Sequence, residues 1–93
     1  MELQNVTREE AEKYIQEGGA AFFLMDKTGD TKTIWDPTRV EEAEVAHAQF
    51  DKLVGEKGYS AFRVSEDGGR STRMETFDAK SGKIIFVPPM KGG

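Results

Sequence analysis

The side chains best suited to chemistry are few in this sequence. His47 is the single histidine, and the chain contains no cysteine. Disulfides, thiolate catalysis and zinc–thiolate sites are therefore excluded, and any zinc site would have to be built largely from carboxylates. His47 falls on the flank of an apolar helical stripe, and no nucleophile can be assigned to it. We expect a partly buried, hydrogen-bonded histidine and not a catalytic one.

Acidic residues are more numerous, and paired carboxylates can act as a general acid and base. They form two groups near predicted helix starts, where negative charge complements the helix dipole: Glu9, Glu10 and Glu12, and Glu41, Glu42 and Glu44. Segments 26–30 and 67–69 combine Asp with Gly but lack the spacing of calcium-binding or phosphate-binding loops. We interpret the groups as solvated helix faces and the segments as turns. The sequence thus predicts no catalytic residue, no metal, no cofactor and no enzyme activity of its own.

The length and net charge of the chain limit the remaining classes of function. Ninety-three residues form one small domain, and a net charge of −4 with scattered basic residues argues against nucleic-acid binding. No apolar run approaches the roughly 18 residues that a membrane span needs, and residues 1–4 do not have the pattern of a signal peptide. We expect a soluble, cytoplasmic protein that acts through protein partners, with neither nucleic acid nor membrane among them.

The first twenty residues contain one helix signal. Thr7 and Glu10 have the spacing of a capping box, and the glycine pair at 18–19 is a typical helix end. These signals predict a short helix over 8–17 within an N-terminal extension, 1–20. Whether this helix docks on the remainder of the chain is left open by the sequence.

A longer helix is predicted over 40–54, because apolar residues recur there at helical spacing and acidic residues face away. Pro37 suits the first turn of a helix, and Thr38 with Glu41 has the spacing of a second capping box. Glycine at 55 or 58 is expected to end this helix.

The remaining apolar segments predict strands. The candidates are 21–25, 31–35, 59–64, 71–77 and 83–87. The near-continuous apolar run of the last candidate indicates a central strand, and Pro88-Pro89 ends it. The expected fold is therefore α+β, with a mixed sheet of four or five strands, one long helix on one face, and the short helix before them. The domain would span 21–89, with 90–93 as a tail.

The chain ends in Pro88-Pro89-Met90-Lys91-Gly92-Gly93, directly after the last strand candidate. Together with the order hairpin, long helix and further strands, this end resembles the ubiquitin-like β-grasp superfamily. Within it, the chain looks most like the sulfur carriers: the small subunit of molybdopterin synthase and the thiamine-pathway carrier. The resemblance covers about 22–93 and implies a sheet in which the final strand pairs with the first and third. A short link between the last two strands favours a direct hairpin instead, and both arrangements stay open.

The resemblance also implies a role for the tail. An adenylating enzyme, as partner, would activate the carboxylate of Gly93, giving a thiocarboxylate or an amide with a lysine of a target. Gly92 and Gly93 would enter a narrow channel because they have no side chains. The neck that keeps them off the domain would consist of Pro88, Pro89, Met90 and Lys91.

A second interpretation belongs to another class. The chain would be a non-catalytic structural or interaction protein, such as a phage or prophage component, that forms a homo-oligomer or another assembly through a sheet edge or an exposed aromatic surface. The glycine end would then be incidental. Trp35, which ends the second strand candidate, and Val45, which lies opposite the apolar stripe and is expected to be exposed, form the candidate partner surface. In a domain of 93 residues, however, a tryptophan more often packs in the core, and we favour that place for Trp35.

Overall fold

The computed structural model of the chain describes residues 3–26, 29–65 and 69–89. These residues form six strands and two helices, and a π-helical turn at Lys52–Glu56 continues the second helix directly. The bounds are Gln4–Val6 (β1), Arg8–Gln16 (α1), Ala20–Asp26 (β2), Gly29–Trp35 (β3), Val40–Asp51 (α2), Ser60–Val64 (β4), Ser71–Met74 (β5) and Lys83–Val87 (β6). With its π-helical turn, α2 forms one long helix of 17 residues.

The strands form one mixed sheet in the order β1-β3-β2-β6-β4-β5. β6 lies between β2, to which it is parallel, and β4, to which it is antiparallel. β5 pairs with β4, so the last two strands of the chain do not form a hairpin, and that alternative is wrong. A central position suits β6 because it is apolar on both sides and can be covered on both faces of the sheet.

The α+β class, the mixed sheet and the long helix are confirmed, whereas the expected number of strands is wrong. Residues 4–6 form an additional strand that pairs antiparallel with β3, with Gln4 opposite Ile34 and Val6 opposite Lys32. This short strand lies before α1, so the short helix is not the first element of the fold. Three residues without an alternating pattern gave no strand signal, and pairing with the edge of β3 supplies their backbone hydrogen bonds instead.

One face of the sheet carries most of the core. The side chains that point to this face from β2 and β6 include Phe22, Ile84 and Phe86, and each is at most 2% exposed. They pack against Ala46 and Phe50 of α2. Because neighbouring side chains in a strand alternate between faces, this aromatic layer lies entirely on the side of the sheet that α2 covers.

The opposite face is covered in part by α1. Ala11 of α1 packs against Ala21 and Phe23 of β2, with Ile15 and Ile34 at the edge of this cluster. The predicted capping box of α1 is confirmed: the Thr7 hydroxyl accepts from the Glu10 backbone N–H at 3.2 Å, and Glu10 Oε1 accepts from the Thr7 N–H at 3.2 Å. The short helix therefore docks on the sheet.

The second predicted capping box is wrong. Arg39 is the N-cap residue of α2, and its side chain makes no capping bond. Thr38 donates from its backbone N–H and its hydroxyl to Asp36 Oδ1, at 2.9 and 2.7 Å. Asp36 itself donates its N–H to Glu42 Oε1 at 3.1 Å. The Asp36 carboxylate therefore stabilises the turn before α2. The Thr38 hydroxyl, which the sequence spacing suggested as the cap, donates to that carboxylate instead.

Candidate functional site

The carboxyl end of β6 is where the chain leaves the folded core. Ile84 and Phe86 are fully buried, whereas the next residue, Val87, is 37% exposed. Pro88 and Pro89 follow and are exposed. Within three residues, a strand at the centre of the sheet therefore becomes a segment on the surface.

The second proline of this segment lies beside the end of the long helix. Gly58 has a φ of +72°, which favours glycine, and a Cβ placed on it would lie 3.7 Å from Pro89 Cβ and Cγ. The turn that ends the helix therefore lies close to the neck. The helix reaches this point through the π-helical turn at Lys52–Glu56, a rare conformation that is frequent at functional sites.

Four of the predicted tail residues cannot be placed in the same way. Met90, Lys91, Gly92 and Gly93 lie outside the residues that the structure describes. The geometry of the predicted activation site is thus limited to Pro88, Pro89 and the strand that precedes them.

Trp35 is not a partner surface. Its side chain is fully buried, and its ring lies 4.5 Å from that of Phe22, centroid to centroid. Trp35 Nε1 is buried without a hydrogen-bond partner. The side chain points to the α2 face because Trp35 pairs with Ala20, another residue of the same core. Trp35 therefore belongs to the core between the sheet and α2.

The two α2 residues of interest also differ from expectation. Val45 is partly buried, so the predicted exposed valine is wrong. His47 is 57% exposed at its side chain, so a partly buried histidine is wrong as well. Its ring stacks on Phe77 at 5.1 Å, and Nε2 lies 3.4 Å from Asp51 Oδ2, one helical turn away. Phe77, in the loop before β6, therefore packs against α2 at His47 and Phe50.

A cluster of apolar side chains lies on the α1 face beyond the part that α1 covers. We call it the apolar sheet surface; its members are Met25, Phe62, Ile85 and Val87. Phe62 and Ile85 are opposite each other in the β4–β6 pair, and Met25 and Val87 each follow the last β2–β6 pair by one residue. Met25 is 48% exposed, and Phe62 is partly exposed and belongs to neither core cluster.

Basic side chains surround this surface. Arg8 and Lys32 line a shallow cavity of about 90 Å³ together with Met25 and Ile85. Arg73 is exposed and pairs with Phe62 in the β4–β5 ladder, which places it on the same face. We call Arg8, Lys32 and Arg73 the basic rim.

Lys83 lies beside the basic rim, and its charge is paired within the chain. Its ammonium group lies 2.6 Å from Glu12 Oε1 of α1 and 4.5 Å from the centre of the Phe23 ring. The ion pair joins the short helix to the central strand. Sequence spacing gave no indication of it, because 71 positions separate the two residues.

The apolar sheet surface had one detectable signal in the sequence. The last strand is apolar at successive positions, so both its faces need cover, yet only one helix was expected to cover the sheet. The excess of apolar residues over covering elements could have indicated an uncovered surface.

A larger cleft lies at the carboxyl end of α1. It measures about 860 Å³, and Gln16, Thr38, Lys80 and Ser81 are among its lining residues. Ser81 Oγ is buried without a hydrogen-bond partner. Nearby, burial and the charge of Asp36 raise the pKa of the Tyr14 phenol. The cleft is lined by hydroxyl, ammonium and carboxylate groups.

The described residues also limit other kinds of site. Nowhere in the described ranges do three or more histidine, aspartate or glutamate side chains come together as a metal site would require. Among the helices of those ranges, none has the length and apolarity to cross a membrane. No protein-family model, curated protein or solved structure matches the chain.

Proposed function

We propose that this chain is a small ubiquitin-like carrier or protein modifier that is activated at the carboxylate of Gly93. In this proposal the domain is a β-grasp, and a partner enzyme supplies all catalytic groups. The chain contributes a rigid body, a neck at Pro88-Pro89 and a tail without bulky side chains at Gly92-Gly93.

The position of β6 carries the proposal. If β1 is set aside, the strand order is β3-β2-β6-β4-β5, so the last strand lies between the first and third strands of a five-strand unit. A β-grasp has this arrangement, and the parallel pairing of β2 with β6 agrees with it. The direct hairpin, which would have argued for a meander, is absent from the described strands.

The geometry of the neck supports the same proposal. Burial falls from complete at Phe86 to open surface at Pro88 within two residues. Proline has a fixed φ and little conformational freedom, so the neck would direct the tail outward. An enzyme could then reach the tail without unfolding β6.

The chemistry is acyl transfer. The Gly93 carboxylate would attack the α-phosphorus of a nucleoside triphosphate bound by the enzyme, with pyrophosphate as the leaving group. The acyl-adenylate would then react with a sulfur donor, giving a thiocarboxylate, or with a lysine amine, giving an amide, and adenylate would leave. Positioning by the enzyme would supply most of the acceleration.

The mass of the protein from its native host tests this proposal. We expect a species heavier by the replacement of one carboxylate oxygen by sulfur, or conjugates that join the chain to other proteins. Deletion of Gly92-Gly93 should remove these species and the associated function. Lys13→Ala is a control, because Lys13 is exposed on α1, and α1 contacts the start of β6 through Glu12 and Lys83, whereas the neck follows the end of β6. A native protein of unmodified mass, together with full function of the deletion variant, would contradict the proposal.

The alternative is a non-catalytic structural or interaction protein, such as a phage or prophage component. The apolar sheet surface favours it, since exposed apolar groups with a polar border are typical of protein contacts. In this alternative the deletion of Gly92-Gly93 has no effect.

A further inference from the structure

Three large apolar side chains are well exposed among the described residues. Two of them, Met25 and Val87, belong to the apolar sheet surface, and the third is Val40, which is 70% exposed. Val40 begins α2, and the exposed carboxylates of Glu41 and Glu44 lie close to it in the same helix. We call Val40, Glu41 and Glu44 the acidic helix surface.

The two surfaces lie on opposite sides of the sheet. α2 covers the face of Phe22 and Phe86, whereas the apolar sheet surface lies on the face of Ala21 and Phe23, next to α1. They cannot touch within one folded chain. They can touch only between two molecules.

Charge decides which surfaces can meet. If the apolar sheet surfaces of two copies packed on each other about a two-fold axis, the two basic rims would face each other, and like charges brought together oppose association. The acidic helix surface carries the opposite charge. It also offers an apolar side chain at its centre, which the shallow cavity beside Met25 and Ile85 could accept.

We propose that the acidic helix surface of one copy of this chain docks on the apolar sheet surface of a second copy. Val40 would pack against Met25 and Val87, with Glu41 and Glu44 near the basic rim. The contact is heterologous, because each copy contributes a different surface. A pair of copies therefore keeps one unused surface of each kind, and association continues into a ring or an open chain.

Sedimentation velocity on the full chain tests the proposal. We expect species heavier than the 10.4 kDa monomer, with a fraction that grows as the concentration rises from about 10 μM to about 1 mM, the range in which small contacts associate. Added salt should reduce that fraction, because exposed charge pairs are screened. A monomer at every concentration would overturn the proposal.

Two variants separate the surfaces. Glu41→Lys/Glu44→Lys reverses the acidic helix surface, and Met25→Glu/Val87→Glu introduces carboxylates into the apolar sheet surface. Each variant alone should be monomeric. Their equimolar mixture should form a heterodimer of twice the monomer mass, because each variant keeps the surface that the other lacks. Failure of the mixture to associate would overturn the heterologous arrangement.

Controls keep these outcomes distinct. Glu17→Lys/Glu56→Lys makes the same change of charge at two exposed positions near the carboxyl ends of the helices, and should associate as the unaltered chain does. Circular dichroism checks that each variant is folded. Deletion of Gly92-Gly93 should leave association unchanged, so this proposal and the carrier proposal can fail separately.

Discussion

The two faces of the sheet are stabilised in different ways. On the α2 face, a long helix covers aromatic side chains that are almost completely buried, and Phe22, Phe50 and Phe86 contact one another or their neighbours edge to face. On the α1 face, a helix of nine residues covers a smaller cluster around Ala21 and Phe23 and is joined to the sheet by the Glu12–Lys83 ion pair. The α2 face therefore provides most of the stability, while the α1 face leaves surface for other molecules.

The largest expected effect tests that contrast directly. Phe86→Ala removes a fully buried ring from the α2 face and should lower the free energy of unfolding by about 3–5 kcal/mol. Phe62→Ala makes the same chemical change on the α1 face, where the ring is partly exposed, and should cost less than half as much. Urea unfolding measures both, and equal losses would contradict the division between the faces.

The close contact at the carboxyl end of α1 is tested next. The ring of Tyr14 lies over Gly19, and a Cβ placed there would collide with it. Gly19→Ala should therefore cost about 1–3 kcal/mol through overpacking. Gly55→Ala, in open space within the long helix, should instead stabilise by about 0.4–1 kcal/mol. Thermal unfolding of the two variants should shift in opposite directions, and a neutral Gly19→Ala would show that the ring moves aside.

The helix starts offer a smaller contrast. Thr7 caps α1, so Thr7→Ala should cost about 1 kcal/mol. Thr38→Ala, at the position where spacing suggested a cap for α2, should cost less, because no side chain caps that helix. Comparable losses measured by chemical denaturation would mean that the Asp36 turn is as important for α2 as a true cap is for α1.

The ion pair on the α1 face should contribute still less. The Lys83 side chain is 20% exposed and that of Glu12 is 39% exposed, so water screens the pair only in part. Lys83→Met removes both the ion pair and the contact with the Phe23 ring, and we expect a loss of about 0.5–1 kcal/mol. A double-mutant cycle with Glu12→Gln isolates the coupling, and a coupling energy of zero would show that Lys83 acts through the Phe23 ring or its own aliphatic stem and not through Glu12.

Sequence reasoning succeeded where a signal was local. The capping box at Thr7, the bounds of β6 and the helix-ending glycine at position 18 depend on residues a few positions apart, and the structure agrees with each. It failed where the cause was tertiary. β1 forms only because β3 offers an unpaired edge, and the stacking of His47 on Phe77 joins residues thirty positions apart.

The smallest effect concerns Asp36 and pH. The hydrogen bonds from the hydroxyl and backbone N–H of Thr38 hold the pKa of the Asp36 carboxyl below its ordinary value. A carboxyl with a lowered folded-state pKa stabilises the fold above its unfolded-state pKa, and that contribution is lost as the pH falls through the folded-state value. Thr38→Val keeps the backbone N–H but removes the hydroxyl, so the pKa of Asp36 should rise part of the way back. NMR titration of the Asp36 carboxyl carbon measures the shift. An unchanged pKa would mean that the hydrogen bond from the Thr38 backbone N–H alone stabilises the turn before α2. The start of α2 would then depend on a backbone donor, whereas the start of α1 depends on the side chain of Thr7.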